Sequence, residues 1–488
     1  MSQTPKRPNI LFLMTDQMQG RVLDPGHPCK TPNLDRLAAR GVRFSQAYTP
    51  NPICSPARAS LMTGLLPHNH GVLTVTHCVD DDQSCLREGK PHWAQRLVEA
   101  GCRTGYFGKW HVERSHDLAR FGWQTHLCFG SDAYRQKREQ MLAHEPAVAT
   151  SGPDVSARWS SNPGYSDALF YAVTDEPPQR RGLGVTCRMA GEWLADAIAR
   201  TSSAPWCCFV SLQEPHDPFV AGRAAFERYD VDAIELPENF ADDLADRPGL
   251  YRKAAQIFAH LTDRQKREAL ACYYASITEI DEQFGRLIDQ IGAAGELDNT
   301  IVIVTTDHGE CAGAHGLYMK NVGAFEEIYN IPLIVAGPGV ARGTTSAGRV
   351  GLHDLAPTLC ELASAEPIDN ADCRSFARML QKPAAHQHHY SQGFAEYHGT
   401  RQMLTQRIVW DGPWKYVHNG FDFDELYNLD DDPGELKNLA ADPAYVDQVR
   451  RMMTLAWSYM KKTGDHTMVN THYPVLRLAP VGPDAVDQ

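Results

Sequence analysis

Residues 9–17 read Asn9-Ile10-Leu11-Phe12-Leu13-Met14-Thr15-Asp16-Gln17: five apolar side chains in a row that run straight into a hydroxyl, a carboxylate and an amide. An amphipathic helix would break such a run every three or four residues, and a strand with one wet face would alternate. An unbroken run of this length fits a strand buried on both faces, as in a parallel sheet covered by helices. The pattern recurs. Arg103-Thr104-Gly105-Tyr106-Phe107 leads to Gly108-Lys109-Trp110-His111. Trp206-Cys207-Cys208-Phe209-Val210-Ser211 leads to Glu214-Pro215-His216-Asp217. Thr300-Ile301-Val302-Ile303-Val304 leads to Asp307-His308-Gly309-Glu310. Open α/β sheets bind ligands beyond the carboxyl ends of their strands, and each polar cluster lies at such an end.

Helical segments separate these runs. Thr31-Pro32-Asn33 offers an N-cap and a first-turn proline, with Gly41 as terminator. Further helices are expected at 91–100, stopped by Gly101, at 271–291 and at 353–363. The alternation predicts an α/β domain with a large, doubly wound, mostly parallel sheet. Residues 145–184 and 229–248 are poorly periodic and are expected as loops bordering a pocket. Beyond the irregular stretch 364–389, short segments at 406–410, 414–418 and 425–428 predict a small antiparallel sheet, followed by a helix at 445–461. The expected division is a catalytic domain over 1–370 and a smaller C-terminal α+β unit over 371–488 that ends in an arm.

A chain of 488 residues with 43% hydrophobic and 22% charged residues has ample material for a core. Its formal net charge of -13 argues against a nucleic-acid partner. An anionic substrate therefore needs local positive charge. The apolar run near the N-terminus is too short for a signal or a membrane span, and no later stretch is long enough either. Thirteen cysteines without CxxC spacing fit reduced thiols. The expectation is a cytoplasmic protein with no membrane partner.

The segment Cys54-Ser55-Pro56-Ala57-Arg58-Ala59-Ser60-Leu61-Met62-Thr63-Gly64 carries the most chemistry. Ser55 suits an N-cap, Pro56 a first helical position and Gly64 a terminator, which puts Cys54 just before a helix N-terminus. Free N–H groups favour an anion there, and Arg58 adds a fixed positive charge. The plain alternative is one more buried structural cysteine; the Pro56 and Arg58 spacing weighs against it.

This segment resembles the sulfatase signature that directs oxidation of the cysteine to formylglycine. Lys109-Trp110-His111, Glu214-Pro215-His216-Asp217-Pro218 and Asp307-His308-Gly309-Glu310 with Lys320 downstream resemble further segments of that family. So do Tyr329-Asn330-Ile331-Pro332-Leu333-Ile334-Val335, Glu425-Leu426-Tyr427-Asn428-Leu429-Asp430 and Asp432-Pro433-Gly434-Glu435. The family is formylglycine-dependent and belongs to the alkaline phosphatase superfamily. Asp16-Gln17 and Asp307-His308 look more like its choline sulfatase and phosphonate monoester hydrolase branches than like sulfatases with paired aspartates and an Asn.

The resemblance implies a sulfuric-ester hydrolase of arylsulfatase-like specificity with one divalent metal, Ca²⁺ or Mn²⁺. Asp16, Asp307, His308 and the modified Cys54 would hold the metal, with Gln17 as a weaker candidate. The hydrated aldehyde would attack with one hydroxyl and expel the inorganic anion through the other. Lys109 and Lys320 would stabilise the non-bridging oxygens, Arg58 would add its fixed positive charge, His216 would serve the leaving oxygen, and His111 would accept the diol proton. His68 and His70 could line the pocket or cap the surface, and His386, His388 and His389 read as a solvated loop. A formylglycine-generating enzyme is the implied maturation partner, and the arm suggests a homo-oligomer. A phosphonate monoester or phosphodiester hydrolase of the same superfamily is the nearest rival, since all these esters carry one negative charge. A non-catalytic protein of the same fold would be expected to lack Asp16, Cys54 or Asp307; all three are present.

Overall fold

The four apolar runs are neighbours in one eight-stranded sheet. The structure, a computed structural model, describes residues 7–143, 145, 152–159, 163–200, 204–320, 322–400 and 403–487. Across the sheet the strands are Thr344–Ser346, Gly41–Phe44, Leu333–Ala336, Thr300–Thr306, Asn9–Thr15, Trp206–Ser211, Arg103–Gly108 and Thr125–Cys128. All adjacent pairs are parallel except the two made by Leu333–Ala336. Every residue of Asn9–Thr15, Trp206–Ser211 and Thr300–Thr306 is buried, which is why none of them alternates in sequence.

Both faces of the sheet are covered. Leu11, Leu13, Val302 and Val304 point into a core shared with the helices Gly182–Ala199 and Asp263–Ala293. Ile10, Phe12, Ile301 and Ile303 point into a second core with Cys54–Thr63, Trp93–Glu99 and Leu355–Leu362. Successive side chains on a strand face opposite ways, so one continuous apolar run supplies both layers.

Several boundaries differ from the sequence expectation. The longest helix starts at Asp263 rather than 271, because Thr262 and Gln265 form a reciprocal capping box. The helix Pro32–Ala38 has Thr31 at its N-cap but no side-chain cap of its own. Its free N–H groups at Asn33 and Leu34 donate instead to the Asp281 carboxylate from the long helix, at 3.0 and 2.8 Å. Residues 145–184 are not all loop: Leu169–Thr174 pairs with Ser156–Arg158 on one side and Phe219–Gly222 on the other in a three-stranded sheet. Residues 146–151 and 160–162 of that region lie outside the described residues.

The C-terminal sheet has four antiparallel strands, Gln392–Tyr397, Gln406–Asp411, Trp414–Asn419 and Glu425–Asn428. The first was not expected. Phe394 faces the helix Val446–Thr463 while Ala395 faces the main body, so neither face of this strand is exposed. The final segment turns back onto that helix: Trp457 Nε1 donates to the Val481 carbonyl at 2.9 Å, and Lys461 pairs with Asp487 at 2.8 Å. No helix among the described residues is long and apolar enough to cross a membrane.

Candidate active site

Strand register brings the first two acidic residues together. Thr15 pairs with Thr306, so Asp16 and Asp307 leave adjacent parallel strands side by side. Ser211 and Gly108 pair at the next two strand ends, which delivers Lys109 and the 213–217 turn to the same rim. The helix Cys54–Thr63 begins at this rim. Its N-cap is Ile53, not Ser55, so Cys54 is the first helical residue; Gly64 ends the helix in the left-handed region, φ 70°.

Asp16, Cys54, Asp307 and His308 are all buried, and one donor atom from each lies within 4.8 Å of the others. Cys54 Sγ is 3.2 Å from His308 Nε2 and 3.7 Å from Asp16 Oδ1. His308 Nδ1 donates to the Gly309 carbonyl at 3.0 Å, which leaves Nε2 facing the cluster. Fixing one ring nitrogen so that the other points inward is the usual arrangement of a metal-binding imidazole. Two carboxylates and an imidazole suit a divalent cation. The sulfur of Cys54 is the mismatched donor, and an oxygen-bearing side chain at position 54 would remove the mismatch. The residues present therefore fit both groups that the family resemblance implies.

Positive charge surrounds the cluster. Arg58 places Nε 2.7 Å from Asp307 Oδ2, Nη2 3.0 Å from Asp16 Oδ2 and Nη1 2.8 Å from Ser211 Oγ. Lys109 Nζ is 2.6 Å from Asp16 Oδ2. Burial opposes ionisation of Cys54, but Lys109, Lys320 and His308 together outweigh it and hold the thiol well below its ordinary range. Asp16 is likewise depressed against burial, by Lys109, His216 and Arg58. For Asp307 burial prevails and its pKa is raised. Lys320 is held above its ordinary value because Cys54, Asp16 and Asp217 overcome the effect of burial.

The other expected residues border this centre. Lys320 Nζ donates to Gln17 Oε1 at 2.5 Å and to His216 Nε2 at 2.6 Å, while His216 Nδ1 donates to the Asp217 carbonyl at 2.7 Å. Gln17, at φ 67°, donates its side-chain amide to Glu310 at 2.5 Å and Asp217 at 3.1 Å. His111 also has a positive φ, 55°. Its Nε2 is 2.8 Å from His77 Nδ1, and burial lowers its pKa to about 4.

Glu310, Asp217 and His77 are neighbours to which sequence reasoning assigned no role. The first two stand inside the quoted motifs, which was the available signal; nothing local marks His77. Burial raises Glu310 to about 7. His70 does not line the site, since its Nε2 lies 3.0 Å from Ser60 Oγ in the interior. His68 joins Glu396 and Asp465 in a second cluster of potential ligands. There the Arg407 guanidinium lies 2.7 Å from Asp465 and 3.6 Å from Glu396, so a protein cation already balances the charge.

Two cavities open beside Lys109. One of about 270 Å³ is lined by Arg181, Thr186, Glu214, His216 and Asp217, among others. The second, about 580 Å³, is lined by His77, His111, Glu113, Arg114 and His116, among others. The 145–184 region reaches the first cavity through Arg181 and Gly182, whereas residues 229–248 line neither.

Comparison with known proteins agrees with this geometry. A family model described as Sulfatase matches residues 8–365, and one described as N-sulphoglucosamine sulphohydrolase, C-terminal, matches 313–462. The chain is 29% identical over 470 residues to the uncharacterized sulfatase YidJ of Escherichia coli, covering 94% of this chain and 88% of that protein. It is 29% identical over 468 residues to a choline-sulfatase of Rhizobium meliloti, covering 90% and 84%. A phosphonate monoester hydrolase from Silicibacter pomeroyi shares the fold, with a TM-score of 0.76 at 22% identity over 94% of this chain and 96% of that one.

Proposed function

The chain belongs to the sulfatase family and is a hydrolase of sulfate esters; we propose that Cys54, oxidised to formylglycine, is its nucleophile and that Asp16, Asp307, His308 and residue 54 hold one divalent cation, with Gln17 at the edge. The observation that carries this reading is the convergence of those four buried side chains at the ends of two adjacent strands and the start of one helix. Formylglycine supplies, as its hydrate, two hydroxyl groups on one carbon. A bound Ca²⁺ or Mn²⁺ supplies a Lewis acid that neutralises charge on the transferred group; the imidazole leans toward Mn²⁺.

The chain's own residues do the rest. Arg58 holds Asp16 and Asp307 apart in fixed positions. The ammonium groups of Lys109 and Lys320 bind the sulfuryl oxygens, where charge develops in the transition state. His216 serves the departing alcohol oxygen by passing on the proton that its Nε2 accepts from the Lys320 ammonium, and His111 takes the proton that must leave the nucleophile. Sulfate is favoured over phosphonate because the sulfatase family model matches the residues of the site, whereas the likeness to phosphonate monoester hydrolase is one of fold.

Maturation requires a formylglycine-generating enzyme. Thirteen cysteines with no bonded pair among the described residues support a reducing, cytoplasmic setting. The exposed Tyr473, Val475, Leu476 and Leu478 of the terminal segment support a homo-oligomer. One preparation assayed against an aryl sulfate, choline sulfate and an aryl phosphonate tests the function. The expected result is turnover of a sulfate above that of the phosphonate; the reverse order would replace this reading with its rival.

A further inference from the structure

Lys109, Phe129 and Gln213 line both cavities, so these three residues stand where the two spaces meet above the reactive centre. Phe129 follows the edge strand Thr125–Cys128 directly, and its backbone N–H donates to the Gly108 carbonyl at 2.8 Å. The residue is 47% exposed. Behind it the ring of Tyr134 packs edge-on at 5.5 Å, and the Tyr134 hydroxyl lies 2.8 Å from Thr186 Oγ1. The ring therefore has one supported side and one open side. Gln213 belongs to the turn closed by its carbonyl, which accepts from the His216 N–H at 3.1 Å. Its exposed side-chain amide makes no hydrogen bond to the described residues.

We propose that Phe129 and Gln213 form the platform for the leaving group, and that this group is a hydroxylated ring: the substrate is a monosaccharide sulfate. The proposal rests on the sulfatase reading above and names the substrate class of the same site. The open face of Phe129 covers one face of the ring, and the Gln213 amide, which can both donate and accept, bonds its hydroxyls. The cavities to either side add polar partners in Thr186, Glu113 and His116. An apolar face flanked by hydrogen-bonding side chains matches a pyranose, whose ring faces are apolar and whose rim is polar.

Two other leaving groups match less well. A quaternary ammonium is held by several aromatic faces. Here Phe129 is the one exposed aromatic ring besides histidine in either lining; Trp110 is 2% exposed. The carboxylates of the two linings are engaged as well, Glu113 by Arg120 at 2.8 Å, Asp81 by Arg114 at 3.3 Å, Glu214 by the Leu183 N–H at 3.3 Å and Asp217 by Gln17. A bare aryl group would find one apolar surface and polar walls.

The test uses the matured, metal-loaded enzyme with a panel of hexose monosulfates, 4-nitrophenyl sulfate and choline sulfate. The wild type is expected to show a higher kcat/KM for at least one hexose sulfate than for choline sulfate. Phe129→Ala and Gln213→Ala are expected to raise KM for that hexose sulfate about tenfold, with kcat changing far less, so that its advantage over choline sulfate collapses. Phe129→Trp should keep that advantage, and thermal melts of all variants report folding separately. A proportional loss on every sulfate, or a wild type that prefers choline sulfate, overturns the platform while leaving the sulfatase reading intact. A wild type that carries formylglycine and hydrolyses no sulfate at all overturns the reading itself, and the platform with it.

Discussion

Arg58 Nε lies 2.7 Å from Asp307 Oδ2, with no more than 1% of either side chain exposed. The same guanidinium reaches Asp16 at 3.0 Å, so one cation spans the two carboxylates. Breaking a buried pair leaves charge unpaired at a cost of about 3–5 kcal/mol. Arg58→Ala should lose stability on that scale in metal-free enzyme, measured by urea unfolding, and lose roughly a hundredfold or more in kcat/KM. Arg58→Lys should keep the charge but not the two-nitrogen reach, and recover stability better than activity. Wild-type stability and rate in Arg58→Ala would refute this role.

Metal binding offers an independent measurement. Asp307 and Asp16 are fully buried beside His308 Nε2, and neither has access to bulk water. Asp307→Asn should lose most bound metal by elemental analysis, and activity with it. Chelation of the wild type should lower the melting temperature, since a ligand at 1,000 times its Kd adds about 4 kcal/mol to folding stability. Full metal content and full activity in Asp307→Asn would show that the ligands are misassigned.

The nucleophile is open to mass spectrometry. The Cys54 peptide of active enzyme should carry the mass of the aldehyde or its hydrate, and Cys54→Ala should remove turnover with the fold intact. Cys54→Ser is more informative, because serine can be esterified but lacks the second hydroxyl that releases the anion. It should accumulate a covalent sulfo-enzyme and turn over very slowly. Normal multiple turnover by Cys54→Ser, or active wild type with only a free thiol, would exclude the formylglycine route.

Away from the site, His68 ties the turn after the signature helix to the C-terminal sheet. Its Nδ1 is 2.8 Å from Glu396 Oε1, and His398, Arg407 and Asp465 complete the surroundings. Burial alone would lower its pKa, but the Glu396 hydrogen bond and charge raise it from 6.5 to about 9. A raised folded-state value means the added stability is present in full below pH 6.5 and is lost as pH rises through 9. Wild type should therefore lose about 3 kcal/mol more than His68→Gln across that window. Parallel stability profiles for the two proteins would contradict the assignment.

The terminal segment bears on assembly. Residues 471–487 cover part of the helix Val446–Thr463, and Tyr473, Val475, Leu476 and Leu478 remain exposed. A chain ending at Asn470 should show a smaller particle by light scattering and a lower melting temperature. A monomeric full-length protein, or an unchanged particle size after truncation, would rule out an oligomer built through this segment.

Local sequence determined a good deal. The run Ile10 to Met14 and its three counterparts were legible as doubly buried strands because a strand covered on both faces has no polar residue to interrupt it. The polar clusters after them marked one rim of the sheet, and Cys54, Pro56, Arg58 and Gly64 marked a helix start and stop through capping and φ preferences that act within a few residues. Other features lay beyond local pattern. Nothing near Asp16 says that its neighbour is Asp307; strand order and register decide that, and they are set by packing between segments far apart in the chain. His77 meets His111, and Phe129 and Gln213 line the same two cavities, only because segments far apart in the chain converge at the same edge. The strand Gln392–Tyr397 stayed hidden because its two faces are covered by different bodies, the main domain and the C-terminal helix. Residue type and spacing encode what a segment prefers and what chemistry it can offer, whereas the partner of each segment is settled by burial summed over the whole molecule.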